Sequence, residues 1–156
     1  MGDMVTIALK EVGTREIGGN NIGPRIVEYQ KATWLEPAAW PWCAAFVCWV
    51  MQQAWIGDPR EKTRCKDASV NGWITWAKKH GHTVLVETDK ARRGDIVVFD
   101  FGHIGIVTED QTGAYIRTVE GNTNGQGARD SESGDGVWAK RRHQSVVKNY
   151  IRLKEV

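Results

Sequence analysis

Apolar residues recur at helical spacing in the first half of the chain. Between Cys43 and Ala54 they follow one another at intervals of three and four, which predicts a helix with one buried stripe. Shorter helices are predicted from an Asp3 N-cap to Val12, from Pro24 to about Ala32, and from a Ser69 N-cap to Lys79. The first half of the chain is therefore expected to be helical.

The second half changes to strand-like segments. These segments cover residues 84–87, 93–100 (a turn and then a strand), 101–109, 114–120, 137–142 and 146–153. Strands that follow a run of helices predict an α+β fold in which N-terminal helices pack on an antiparallel β-sheet. The length of 156 residues suits one hydrophobic core, so we expect residues 1–156 to form a single domain.

A turn-rich tetrapeptide, Asp110–Gly113, predicts a hairpin between the two central strands. If these four residues form the whole loop, His103 lies directly opposite Glu120, close enough for the carboxylate to hold one imidazole nitrogen while the other faces outward. Asn122 projects from the same side and offers a second orienting group. The competing interpretation is a solvated His–Glu pair on the surface.

Cys43 is predicted to lie in the first turn of the long helix, just after Pro41. Unpaired backbone N–H groups and the positive end of the helix dipole favour a thiolate there, so the position suits a nucleophile. Most free cysteines are buried and act as small hydrophobic residues, so a histidine with a polar orienter is required as well. His103 and Glu120 meet that requirement.

The motifs around these residues resemble the CHAP domains of the NlpC/P60-like, papain-related superfamily of peptidoglycan hydrolases. They are Trp42–Cys43 opening an apolar helix, the segments 94–99 (GDIVVF) and 102–107 (GHIGIV), and 120–122 (EGN). The resemblance extends from about residue 11 to residue 122. It implies that Cys43 is the nucleophile, that His103 is the general base and acid, and that Glu120 and Asn122 orient and polarise the imidazole.

Four residues are assigned to substrate binding. Trp40 and Trp42 come from a connector, residues 34–42, whose tryptophans offer flat apolar area to a sugar or peptide, although packing is the more common role. Asn21 lies in a Gly-rich segment that resembles the approach to the nucleophile in phage-encoded members, and Gly102 precedes His103. The connector contains one acid, Glu36, so the calcium loop of some CHAP enzymes is not expected; no metal and no cofactor are predicted.

Composition and charge narrow the classes of partner. The net charge of +2 is too small to indicate nucleic-acid binding, but it suits an anionic polymer such as the bacterial wall. No apolar window approaches the roughly 20 residues needed to cross a bilayer, and the N-terminus has no signal-peptide pattern. We expect a monomer without membrane insertion that stays in the host cytoplasm until its release to the wall.

Other cysteines, histidines and acids give weaker signals. Cys43 and Cys48 project about 140° apart on a helix and should not bridge, and Cys65 is predicted to be a free surface thiol. His80 and His82 without further spaced ligands are a weak zinc signal. The Gly-rich segment 121–136 is predicted to be a loop, which could form a wall of the cleft or be a solvated loop without a function. Within this segment, Asp130, Glu132 and Asp135 loosely resemble a calcium loop.

The predicted function is hydrolysis of an amide bond in peptidoglycan by a Cys-His-Glu thiol mechanism. N-acetylmuramoyl-L-alanine amidase and stem or cross-bridge endopeptidase activities both remain open, and a phage endolysin is the favoured setting. The alternatives are an interbacterial wall-cleaving effector, a zinc-dependent amidase that uses Cys43 or the His80/His82 pair, and a wall-binding module without catalysis.

Overall fold

The computed structural model describes residues 2–125 and 134–155, which form four helices and one six-stranded sheet. The helices are α1 (Met4–Lys10), α2 (Pro24–Gln30), α3 (Cys43–Ala54) and α4 (Asn71–Lys79). The strands are β1 (Thr83–Val86), β2 (Ile96–Phe99), β3 (Ile104–Val107), β4 (Tyr115–Thr123), β5 (Gly136–His143) and β6 (Val147–Arg152). Short 3₁₀ helices lie at Glu61–Thr63 and Gln144–Val146. The predicted α+β class is confirmed.

The sheet has the strand order β1-β6-β2-β3-β4-β5, and every neighbouring pair is antiparallel. All four residues of β2 are buried because both faces of the sheet are covered there. Ile96 and Val98 contact the core beneath the helices, whereas Val97 and Phe99 belong to a smaller apolar cluster on the other face. This alternation is what the twofold period of a strand requires.

Helix α3 is the most deeply buried helix and packs on β3 and β4. Gly121 on β4 permits the close approach, since a Cβ added there would lie 2.7 Å from Phe46 Cβ and 2.9 Å from Trp42 Cζ3. The start of α3 is thereby pressed against the strand that carries Glu120. Among the described helices, none combines the length and apolar character needed to span a bilayer.

Several predicted boundaries change. The Asp3 cap is confirmed, because its side chain accepts from the backbone N–H groups of Val5 and Thr6. Ser69 does not cap α4, which begins at Asn71; instead the Ser69 N–H donates to Asp67 Oδ1 in the preceding turn.

The predicted loop 121–136 is corrected at both ends. Strand β4 continues to Thr123 and β5 begins at Gly136. Asp130 and Glu132 of the suggested calcium loop lie outside the described residues. The Asp135 carboxylate accepts a hydrogen bond from the Trp138 indole at 2.9 Å.

The predicted hairpin register is wrong by two residues. Ile106 pairs with Val119 and Val107 with Thr118, so the loop between β3 and β4 is longer than the tetrapeptide. A shift of two preserves the face on which each side chain projects, because strand side chains alternate with a period of two. His103 and Glu120 therefore stay on the same face, although they are not directly opposed.

Candidate active site

The imidazole of His103 and the carboxylate of Glu120 form a buried hydrogen bond. His103 Nε2 lies 2.9 Å from Glu120 Oε1, and both side chains are almost completely inaccessible to solvent. Gly105 makes the diagonal contact possible, because a Cβ added there would lie only 2.6 Å from Glu120 Cγ. The glycine of the 102–107 motif thus leaves the space through which Glu120 reaches His103.

Two further side chains, Thr118 and Arg142, bind the Glu120 carboxylate. Arg142 donates from Nη2 to Oε1 at 2.5 Å and from Nε to Oε2 at 3.1 Å, and the Thr118 hydroxyl donates to Oε2 at 2.5 Å. Arg142 is itself buried, and its guanidinium lies over the rings of Phe99 and Phe101. The carboxylate is therefore fixed from both edges.

Sequence reasoning missed Arg142. Its segment reads as an ordinary basic strand, and nothing in its spacing indicates that this arginine turns inward. The signal that could have found it is physical: a buried carboxylate that holds one histidine still needs further donors.

Two phenylalanine rings stack on the imidazole of His103 and fix its plane. The His103 ring lies 5.8 Å from both Phe99 and Phe101, at interplanar angles of 18° and 16°. Phe99 and Phe101 stack on each other at 5.3 Å. The ring of His103 is therefore held by packing as well as by Glu120.

The surroundings of the pair favour its charged forms. Burial disfavours the charged form of His103, but interactions with Cys43 and Glu120 outweigh it and raise the pKa of His103 to about 9. Burial would raise the pKa of Glu120, yet the hydrogen bonds from His103 and Arg142 lower it to about 2. Both shifts favour the imidazolium form of His103 and the carboxylate form of Glu120.

Cys43 is the first residue of α3 and stands next to the imidazole. It is 5% exposed, and its interaction with His103 is one of the causes of the raised pKa of the ring. Within residues 2–125 and 134–155, His103 Nδ1 has no hydrogen-bond partner. The sequence predicted that this second nitrogen faces outward, but it is buried.

Asn122 is buried beside this group in a left-handed conformation, with φ +54°. Neither polar atom of its side chain has a hydrogen-bond partner in the described part of the chain. The structure thus brings Asn122 to the end of β4 next to Glu120, but without a hydrogen bond to His103. The side-chain amide of Asn122 is therefore able to donate and to accept a hydrogen bond.

A groove of about 560 Å³ opens at Cys43. It is lined by Trp34, Leu35 and Trp40, by residues 67–71 and by Gly102. Trp34 is 74% exposed and presents a flat apolar face. We call this cavity the Cys43 groove. Sequence reasoning found Trp40 and Gly102 in it but missed Leu35 and residues 67–71, which only the fold brings close to Cys43.

Two residues predicted to bind substrate do not line the Cys43 groove. Trp42 is fully buried, stacks on Tyr29 and donates its indole N–H to Glu16 at 2.8 Å, so it belongs to the core. Asn21 is also buried, with φ +60°, in the loop before α2. These two assignments are corrected: neither side chain offers a surface to a ligand in the groove.

The other two cysteines are buried and unpaired. Cys65 is 1% exposed, so the expected surface thiol is wrong; it lies beside Cys48, and burial together with this neighbour raises the pKa of the Cys48 thiol.

His82, one of the two histidines of the weak zinc signal, has other contacts. His82 Nδ1 accepts from the Lys154 N–H, and its ring packs on Trp76. Within the described residues no group of three or more His, Cys, Asp or Glu side chains could hold a metal ion.

Comparisons with known proteins agree with this architecture. The sequence matches the CHAP domain family over residues 36–122, more than half of the chain. Eight chains of solved structure match, among them the crystal structure of a wild-type endolysin, LysIME-EF1, with a TM-score of 0.60 and 17% identity. That match covers 97% of this chain and 62% of the endolysin chain. A search among curated proteins finds no significant match.

Proposed function

The chain belongs to the CHAP domain family, and we propose from this that it hydrolyses an amide bond of bacterial peptidoglycan by a thiol mechanism. The observation that carries the proposal is the buried Glu120–His103 pair, which faces Cys43 at the start of α3 and at the mouth of a groove. A cysteine nucleophile is activated when an imidazole lies beside its thiol and a carboxylate orients that imidazole.

In the proposed reaction, the Cys43 thiolate attacks the carbonyl carbon of the amide. Glu120 holds the imidazolium of His103, which then donates its proton to the leaving amine as the C–N bond breaks and a thioester forms. His103 next accepts a proton from water, and the resulting hydroxide equivalent hydrolyses the thioester and regenerates Cys43. Asn122 is proposed as a second polar group that supports the charged imidazole. The chemistry needs only residues of this chain and water.

The negative charge on the carbonyl oxygen develops beside the N-terminus of α3. The backbone N–H of Cys43 is the natural first donor to it, and the dipole of this twelve-residue helix has the favourable sign. Losing one donor from such a site typically costs about 2.7–4 kcal/mol of barrier. The Cys43 groove would hold the substrate, with the faces of Trp34 and Trp40 against its apolar parts.

Digestion of purified peptidoglycan tests the proposal. Wild type and Cys43→Ala are compared with and without EDTA, and the released fragments are identified by mass spectrometry. We expect release that depends on Cys43 and is unaffected by EDTA. The fragment masses distinguish cleavage between muramic acid and L-alanine from cleavage within the stem or the cross-bridge.

Cys48→Ala is the matched control, because it removes a second thiol from the same helix at a position away from His103. It should retain activity. Release that survives Cys43→Ala, or that EDTA abolishes, would contradict the thiol mechanism and favour metal-dependent cleavage. Wall binding by wild type without any release would instead indicate a binding module. Lysis of a producing host that begins only once the enzyme has been released to the wall would fit the proposed endolysin setting.

A further inference from the structure

The Cys43 groove continues past Trp34 into a second cavity with a different charge. This cavity, of about 580 Å³, shares Trp34 and Asp67 with the groove and is further lined by Lys62, Arg64, Lys66, Trp76 and Lys79. We call it the basic arm. Among the described residues, Asp67 is the one charged side chain that lines the Cys43 groove. A ligand that follows both cavities would therefore pass from a nearly neutral region at Cys43 to a positive one.

The positive charge of the basic arm is available to a ligand. Lys62, Lys66 and Lys79 are all exposed, and none of them makes an ion pair with another residue in the described ranges. Arg64 differs from them, because its Nη1 donates to the backbone oxygens of Ala32 and Cys65 and so fixes the loop beneath the arm. The three lysines are thus the groups that could bind an anion.

Another cavity with basic residues, lined by arginines rather than lysines, shows the contrast. It has a volume of about 490 Å³, and three of its arginines already bind carboxylates of the chain. These pairs are Arg60–Asp58, Arg93–Asp3 and Arg152–Asp95. Internal pairing leaves that cavity with little net attraction for an anion, whereas the lysines of the basic arm have no such partners within the described residues.

The walls of the basic arm are held by the backbone. The Trp34 N–H donates to Lys66 O at 3.2 Å, and the Trp76 indole donates to Thr63 O at 2.8 Å. The Trp34 backbone is therefore tied to the loop that carries Lys66, its ring lines both cavities, and Trp76 offers an apolar floor held by its indole. An apolar floor below lysine ammonium groups suits a ligand side chain that has a short apolar part and ends in a carboxylate.

We propose that the basic arm binds free carboxylates of the peptide stem while the scissile amide lies at Cys43. The inference rests on the proposed function and adds a direction to it, because the anionic end of the stem would lie beyond Trp34. It also predicts a substrate class: stems with free carboxylates should bind more tightly than stems in which these groups are amidated.

The test measures binding by calorimetry, with Cys43→Ala as the background so that no ligand is consumed. The probes are a muramyl tripeptide with free carboxylates on its glutamate and its third residue, and the same molecule with both of these groups amidated. Lys62→Gln/Lys66→Gln/Lys79→Gln should weaken binding of the carboxylate form about tenfold. Lys10→Gln/Lys90→Gln/Lys148→Gln carries the same charge change on exposed lysines outside both cavities, and should stay within about twofold of the parent.

The amidated probe should bind the parent as weakly as the carboxylate probe binds the arm variant. Equal binding of the two probes to the parent, no binding of either, or equal losses in both triple variants would overturn the proposal. Displacement by a glycerol-phosphate polymer at lower concentration than by the peptide would assign the arm to phosphate instead. Peptidoglycan digestion is scored separately, so Cys43-dependent release with equal probe binding would retain the hydrolase and reject the arm.

Discussion

Replacing Arg142 by methionine tests whether the Glu120 carboxylate depends on the arginine that binds both of its oxygens. The variant removes two hydrogen bonds, of 2.5 and 3.1 Å, from a carboxylate that is 0% exposed, and methionine keeps much of the side-chain volume. Breaking a buried ion pair by removing one partner costs about 3–5 kcal/mol of unfolding free energy. Because 1 kcal/mol shifts the Tm of a chain of this size by about 2–4 °C, we expect the Tm to fall by roughly 6–20 °C.

Urea denaturation at pH 7 measures this loss, and Arg117→Met is the control. The Arg117 side chain is 58% exposed and lies 4.0 Å from Glu109, so its replacement should change the unfolding free energy by less than about 0.5 kcal/mol. The double variant Glu120→Gln/Arg142→Met leaves no uncompensated charge between these two residues, so it should cost clearly less than the sum of the two single changes.

The reasoning would be refuted if Arg142→Met lost less than about 1 kcal/mol, or if the double variant showed the simple sum. Either result would mean that Glu120 is held by His103 and Thr118 alone. In the first case water entering the space left by the guanidinium would have to supply the missing donors.

Three further predictions concern the same group. Gly105→Ala places a methyl group 2.6 Å from Glu120 Cγ, and the Glu120 side chain is fixed at both oxygens. We therefore expect kcat on peptidoglycan to fall at least about tenfold. Gly113→Ala is the control, because a Cβ there meets nothing within 4 Å. The folded-state pKa of His103 lies above its ordinary value of 6.5, so the contribution of His103 to stability is complete below about pH 6.5 and is lost as the pH rises through about 9. Urea denaturation from pH 6 to 9.5 should show this loss of unfolding free energy in the wild type. The profile of His103→Gln should be flatter. Because interaction with Cys43 helps to raise the pKa of His103, Cys43→Ala should lower the pKa of the ring in an NMR titration, and an unchanged value would show that the thiol and the imidazole do not interact.

The elements with clear periodicity could be predicted from the sequence. The stripe of α3 placed Cys43 at the first turn of that helix, and the α+β class followed from helices that precede strands. The His103–Glu120 pair was found for a partly incorrect reason. The assumed loop was too short, but the error in register was an even number of residues, so both side chains stayed on one face.

The residues that were missed depend on tertiary packing. Trp42 and Trp40 look alike in the sequence, yet one enters the core against Tyr29 and the other lines the groove. The burial of Cys65 and Arg142 is decided by neighbours distant in the sequence, Cys48 and Glu120 respectively. Propensity and local spacing carry no information about such partners. The burial of these residues could therefore be found only from the three-dimensional structure.

The contact of Gly121 with Phe46 and Trp42 has a consequence for the maturation of the thiol. Cys43 begins α3 and His103 directly precedes β3, and α3 approaches the sheet closely at Gly121 of β4, where no side chain keeps the helix and the strand apart. Before that docking, Cys43 lacks the contact with His103 that helps to raise the pKa of the imidazole. The pairing of the two side chains therefore arises only when α3 is seated on the sheet, and a chain in which this docking is incomplete lacks it.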